Sequence, residues 1–354
     1  MLIEYIILAL ASAVVTIVLI PAALSLSRRY SLYDYPGRHK RHKRPVSLLG
    51  GTVLFVAMWL PMLGHLLFAA SPLELLSVSL PYIYLASCII YLIGVIDDFH
   101  PVSAWVKLLA EIAAGIVLCA GGLTIDPIAI PFLGQFTMGV WSYVVTVAWV
   151  VGLTNAINLI DGLDGLAGGV SLVAAITLAI VGIHYEVGSA ILFAYTLIGF
   201  LPPFLYYNRY PARIFLGDSG ALQIGFYFAV ISLIVPIRSF TAAALYVPLL
   251  ALGVPLLETI SSFFRRVAAG KNVMQADRRH LFHYLALAGL SHRQVVLVFY
   301  VLSVVFGLFA LAMVYWNRLV VLGVLALFMV VISVGFLIFT ANPAKGRRKR
   351  PNSG

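Results

Sequence analysis

The chain has 354 residues, 62% of them hydrophobic and only 10% charged, with a formal net charge of +10. A soluble domain averages about 25% charged residues, so this composition excludes a water-soluble globular protein and puts the chain in a lipid bilayer. The basic residues abut apolar segments and form no soluble basic domain, so nucleic acid is not an expected partner.

A helix needs roughly 20 apolar residues to cross a bilayer. Eleven segments answer to that, near 3–26, 48–69, 80–97, 104–122, 139–157, 166–184, 187–206, 219–236, 240–260, 294–314 and 319–340. The first has Glu4 and no basic residue ahead of it, so it reads as a span and not as a cleaved leader. The loop after it contains DYPGRHKRHKRP, the third span ends on Asp97–Asp98, and Lys107 stands near the start of the fourth. Residues 123–138 alternate apolar and polar around Pro and Gly, which predicts a small outer hairpin. The string NAINLIDGLDGLAGG joins spans five and six, and ARIFLGDSGAL leads into span eight. Loop 261–293 holds QADRRHLFHYL, and 344–354 is a basic tail behind a single polytopic domain, 1–343. No internal repeat is visible. Cys88 and Cys119 lie within spans without metal or CxxC spacing, and read as packing residues.

Loop cations set the expected orientation. With the N-terminus outside, every Lys and Arg except Arg238 and Arg318 falls in, or in the case of Lys107 near, a loop or tail of the inner side. That predicts an N-out, C-in protein with an odd number of spans. It also brings Asp97, Asp98, Asp161, Asp164 and Asp218 to the cytoplasmic face.

The chain has 13 acidic residues, and five of them sit in those three short clusters. A solvated helix cap would account for Asp218, since carboxylates favour helix N-termini. It does not suit Asp97–Asp98, two like charges at a C-terminal end, where a cation or a protonated partner is needed. Asn155 with Asn158, and Asp161 with Asp164, lie three residues apart, so at helical spacing each pair shares a face. Oxygen ligands without Cys or nearby His suit Mg²⁺, with Mn²⁺ as the alternative. Gly217, Asp218, Ser219 and Gly220 at a helix start offer N–H donors to a phosphate while the carboxylate holds a metal. His39 and His42, then His280 and His283, fall at spacings that align them in positive loops. Basic groups beside carboxylates and a metal suit a phosphate-bearing substrate.

Taken together, over roughly residues 30–295, these strings resemble the polyprenyl-phosphate N-acetylhexosamine-1-phosphate transferases. The first-loop pattern is similar at Asp34, Pro36, Lys40, His42, Pro45, Gly50 and Gly51. The acidic pair with its downstream lysine matches Asp97, Asp98 and Lys107, and the Asn/Asp motif matches Asn155, Asn158, Asp161 and Asp164. Phe215 to Gly220 match the metal motif, and Asp277, His280, Leu281 and His283 the histidine motif. Four positions depart from it: Phe282 stands where a further histidine is usual, Glu258 for aspartate, Glu111 for glutamine and His39 for arginine.

The resemblance implies transfer of a sugar 1-phosphate from a UDP-sugar to undecaprenyl phosphate, with release of UMP, as a first membrane step toward O-antigen, teichoic acid or a related polysaccharide. It implies Asp218 as the first Mg²⁺ ligand, Asn158 as the second, and Asp97 and Asp98 orienting the lipid phosphate with Lys107. It puts Asp161 and Asp164 on the nucleotide side, with Asn155, Lys40, His42, Gly217 and Ser219 among the substrate contacts. Arg279, His280 and His283 would grip the sugar phosphate. A homodimer is compatible with the sequence. The nearest competing substrate is a UDP-muramoyl-pentapeptide. The rival from another class is a flippase, which would place its ionisable groups near the bilayer midplane and often carry inverted repeats.

Overall fold

The computed structural model describes residues 2–36, 44–68, 74–126, 128–130, 134–239, 243–268, 270 and 280–341. Among these it is an all-α protein with two minimal hairpins. In chain order the elements are α1 (Leu2–Tyr30), β1 (Tyr33–Asp34), β2 (Val46–Ser47), α2 (Gly50–Phe68), α3 (Glu74–Phe99), α4 (Ala104–Ala120), β3 (Ile128–Ile130) and β4 (Gly134–Phe136). Then come α5 (Trp141–Ile160), α6 (Leu166–His184), α7 (Gly188–Asn208), α8 (Gly217–Ser239), α9 (Ala243–Ala251), α10 (Gly253–Ala268), α11 (Leu281–Leu287), α12 (His292–Tyr315) and α13 (Arg318–Ala341).

Eight of the described helices are long and apolar enough to cross a membrane: α1, α2, α3, α5, α6, α7, α8 and α12. The other three expected segments are occupied by α4, α13 and the α9–α10 pair. The segment 240–260, expected as one span, is broken at Leu252. Pro255 has no N–H to give the carbonyl of Ala251, so the ladder loses a rung there. The expected hairpin in 123–138 is present, with β3 antiparallel to β4 in the register Ile128↔Phe136, Ala129↔Gln135 and Ile130↔Gly134.

The axis of the bundle is α8. Six consecutive residues, Phe226 to Ile231, are fully buried, as expected of a helix that is apolar all round. It packs against α2, α3, α5 and α7, with α1 behind α2 and α7, α4 against α3 and α5, and α6 between α7 and α12. Close approach is built from small residues: a Cβ on Gly94 of α3 would lie 2.3 Å from the Cα of Ser219 on α8. A buried polar knot crosses the same interface. The Trp59 indole donates to Ser87 Oγ at 3.0 Å, Gln223 Nε2 to the Ser87 carbonyl at 2.8 Å, and the Tyr227 hydroxyl to Gln223 Oε1 at 2.9 Å.

Helix ends fix the site's neighbourhood. The C-termini of α3, α5 and α7 and the N-termini of α6 and α8 lie at one edge of the bundle. There β1 pairs with β2, and Ser47 also bridges in parallel to Ile214, tying the first loop to the segment that enters α8. α12 starts at that edge with a capping box between Ser291 and Gln294.

Candidate active site

A cavity of about 650 Å³ opens at this edge, lined by six aspartates: Asp34, Asp97, Asp98, Asp161, Asp164 and Asp218. Asn158, Gly217, His280 and His283 line it too, together with Asn208, Phe215 and Phe282. All three acidic clusters and the histidine loop therefore meet in one place. Lys40, His42 and Arg279 lie outside the described residues.

Lys107 answers the question posed by two like charges at a helix end. Its Nζ lies 2.9 Å from Asp97 Oδ2 and 2.8 Å from Asp218 Oδ2, linking α3 to α8 through α4. Asp97 also accepts the Val102 N–H at 2.6 Å. Asp98 does something the sequence did not suggest: it caps a neighbouring helix. Its Oδ1 accepts the Asp218 N–H at 2.7 Å, and its Oδ2 accepts both the N–H (3.2 Å) and the hydroxyl of Ser219. Two of the first-turn donors of α8 expected to face a phosphate, the N–H groups of Asp218 and Ser219, are thus given to Asp98, and Ser219 is buried away from the cavity.

Asp161 and Asp164 do not share a helical face. α5 ends at Ile160, capped by the Asp161 N–H on the Asn158 carbonyl at 3.2 Å, and α6 begins at Leu166; the five residues between form a turn, closed by the Leu166 N–H on the Leu163 carbonyl at 2.9 Å. Asp164 Oδ2 accepts the Ala212 N–H at 2.9 Å and so braces the loop after α7. The Asp161 carboxyl enters the cavity. Burial, reinforced by Asp218, Asp98 and Asp164, holds it well above the usual carboxylate range. Asn155 departs from expectation as well. It turns from the cavity and donates to Glu111 Oε2 and to the Val151 carbonyl (2.9 Å), so the helical pairing with Asn158 does not put both amides in the site.

The histidine loop is held by Glu258 of α10. Its Oε1 lies 3.0 Å from His280 Nδ1, and both its oxygens lie 3.1 Å from the Leu281 N–H at the start of α11. With Nδ1 engaged, Nε2 is the His280 nitrogen left for the cavity. Phe282 is buried and stacks on His280 and His283, at ring separations of 5.2 and 4.4 Å, beneath Gly162. Asn208 escaped the sequence reading. A polar residue at the end of an apolar span, ten positions before Asp218, was its only signal.

Whether these groups suit a divalent cation can be judged from the donor set. The cavity gathers oxygen donors, and Lys107 offsets two of its carboxylates, Asp97 and Asp218. No three His, Cys, Asp or Glu among those residues cluster closely enough to form a complete cage. That fits Mg²⁺, which takes one or two carboxylates and keeps waters or substrate phosphates for the remainder. Of the lining residues, Asp218, Asn158 and Asp161 carry side-chain oxygens that could hold such an ion.

Comparison with known proteins identifies the family. Residues 80–236 match the model of the family described as glycosyl transferase family 4. A probable undecaprenyl-phosphate N-acetylglucosaminyl 1-phosphate transferase of Bacillus subtilis (strain 168) is 31% identical over 91% of this chain and 89% of its own. A decaprenyl-phosphate N-acetylglucosaminephosphotransferase of Mycobacterium tuberculosis (strain ATCC 25618 / H37Rv) is 32% identical over 84% and 79%. A phospho-N-acetylmuramoyl-pentapeptide-transferase of Moorella thermoacetica (strain ATCC 39073 / JCM 9320) is 31% identical over 84% and 94%. With an aspartate-lined cavity at the common end of its helices and relatives matched along most of their length, the chain belongs to glycosyl transferase family 4, among the polyprenyl-phosphate N-acetylhexosamine-1-phosphate transferases.

Proposed function

We propose that this protein transfers N-acetylglucosamine 1-phosphate, or a related N-acetylhexosamine 1-phosphate, from its UDP-sugar to undecaprenyl phosphate at the cytoplasmic face, releasing UMP. The observation that carries this reading is the convergence of Asp97, Asp98, Asp161, Asp164 and Asp218 with Lys107 and His280 around one cavity at a helix-end edge. The names of the Bacillus and Mycobacterium relatives support the reaction class. A flippase would instead need its charges at mid-membrane.

An oxygen of the lipid phosphate attacks the β-phosphorus of the UDP-sugar. The bond from that phosphorus to the bridging oxygen breaks, and UMP departs with the electron pair. The acceptor phosphate is already ionised at neutral pH, so positioning and charge stabilisation dominate over proton removal. Mg²⁺, held by Asp218, Asn158 and Asp161, would neutralise the charge developing on the pyrophosphate. Lys107 keeps Asp97 and Asp218 at fixed separation and supplies positive charge beside the incoming phosphate. Asp98 acts through α8: by capping it, this carboxylate holds Asp218 at the cavity wall. Glu258 holds His280 with Nε2 toward the sugar phosphate.

The test is direct. Purified protein with Mg²⁺, undecaprenyl phosphate and a panel of UDP-sugars that includes the muramoyl-pentapeptide donor should release UMP with an N-acetylhexosamine donor. Asp218→Ala should abolish it. Turnover that persists in excess EDTA or in Asp218→Ala would overturn the metal assignment, and exclusive use of the pentapeptide donor would overturn the sugar.

A further inference from the structure

The carboxylates of the site arrive on separate pieces of backbone. Asp161 and Asp164 sit on the turn between α5 and α6, whereas Asp218 follows residues 214–217. The Asp164 bond to the Ala212 N–H ties these pieces from the carboxylate side, and one buried amide ties both backbones. Asn208, the last residue of α7, is 4% exposed. Its Oδ1 accepts the Gly165 N–H at 3.0 Å, and its Nδ2 donates to the Ile214 carbonyl at 2.9 Å. Gly165 adopts φ +82°, a left-handed conformation that other residues enter at a cost, and its carbonyl accepts the Tyr300 hydroxyl at 2.6 Å. Both backbone groups of the residue that closes the aspartate turn are therefore held by side chains from other helices. Ile214 stands four residues before Asp218 and is itself pinned to Ser47.

A buried asparagine always needs partners, so satisfied hydrogen bonds alone say little. What distinguishes Asn208 is that its two partners lie on two different carboxylate-bearing segments, and that it forms part of the cavity wall. We infer that Asn208 is a positioning residue. It fixes the separation between the Asp161–Asp164 turn and Asp218, with Tyr300 clamping the same turn from the opposite side. The chemical consequence rests on the transferase reading above. Misplacing a reacting group by about 1 Å can cost on the order of 100-fold in rate.

The experiment uses the full chain in detergent with three variants. Asn208→Ala removes both bonds. Asn208→Asp keeps the shape and the acceptor but loses the amide donor. Tyr300→Phe removes only the hydroxyl on Gly165. Asn208→Ala is expected to lower kcat roughly 100-fold while the UDP-sugar KM stays within about threefold, the pattern of an interaction realised in the transition state. Hydrogen exchange should rise together in peptides covering 161–166 and 212–218 in Asn208→Ala, in 212–218 alone in Asn208→Asp, and in 161–166 alone in Tyr300→Phe. Exchange needs no turnover. A wild-type protein that releases no UMP from any donor would therefore overturn the transferase reading while exchange still decides the role of Asn208. A folded Asn208→Ala with wild-type kcat, or with a rise in only one of the two segments, would overturn the inference. If Asn208→Ala does not fold, Asn208→Asp decides: wild-type kcat, or no rise in 212–218, would overturn the inference.

Discussion

Asp98 and Asp161 are both aspartates of the cavity wall, yet their surroundings set them opposite tasks. Asp98 has both oxygens engaged by the first turn of α8. Loss of a helix cap costs about 0.5–2 kcal/mol, so Asp98→Ala should lower the thermal midpoint measured in detergent, and Asp98→Asn, which keeps one acceptor, should lower it less. If both variants melt like wild type, the cap contributes nothing. Asp161 is crowded by Asp218, Asp98 and Asp164 in a buried setting, and its folded-state pKa is raised. A carboxyl with a raised folded pKa binds its proton more tightly when folded. Folding is therefore penalised as pH climbs above the unfolded value of about 3.9, until the raised folded value is passed. In EDTA the thermal midpoint should fall across that window, and Asp161→Asn should flatten the fall. Added Mg²⁺ should restore stability at the upper end, because a bound cation favours the ionised form. A pH profile unchanged by Asp161→Asn would remove this carboxyl from the explanation.

Between helices, specificity comes from small residues and a few buried polar groups. The knot of Trp59, Ser87, Gln223 and Tyr227 ties α2 and α3 to α8 well below the cavity. Ser87→Ala leaves the indole N–H without its acceptor. Interhelical hydrogen bonds of this kind average near 0.6 kcal/mol and reach about 1.7 kcal/mol in a bilayer protein, because the unfolded state in the membrane also finds partners. A fall in thermal midpoint of that order is expected, with turnover unchanged at permissive temperature. Lost turnover without lost stability would mean that the knot acts on the site. This scale also separates what could be read from the chain. Apolar length gave the helices, and clustered charge located the cavity, because both are local properties. The partners were not local: Asp98 caps α8 across a gap of 120 residues, and Asn155 faces Glu111 on α4. Helical spacing placed Asp161 beside Asp164, but glycines in the turn allowed a different path. Pro255 broke a segment whose hydropathy ran on without interruption.

Across the whole molecule the acidic cluster lies at one edge of the bundle, and the β3–β4 hairpin joins α4 to α5 at the opposite ends of those helices. Which edge faces the cytoplasm is a separate matter, and the loop cations are the ground for the orientation proposed above. In that orientation the sequence assigns all but two of the 23 Lys and Arg to the side of the aspartates. The proposed chemistry makes the same demand. A UDP-sugar is a water-soluble anion that does not cross lipid, so the cavity must open toward the compartment that holds it, while the polyprenyl phosphate reaches it from within the membrane. Sealed vesicles of known orientation test this. Inside-out vesicles given external UDP-sugar should release UMP at once. Right-side-out vesicles should do so only after detergent opens them, which controls for inactive protein. The decisive opposite result is turnover in intact right-side-out vesicles and none in inside-out ones. That would reverse the topology without disturbing the cavity, because convergence of the five aspartates depends on helix packing and not on which leaflet they face.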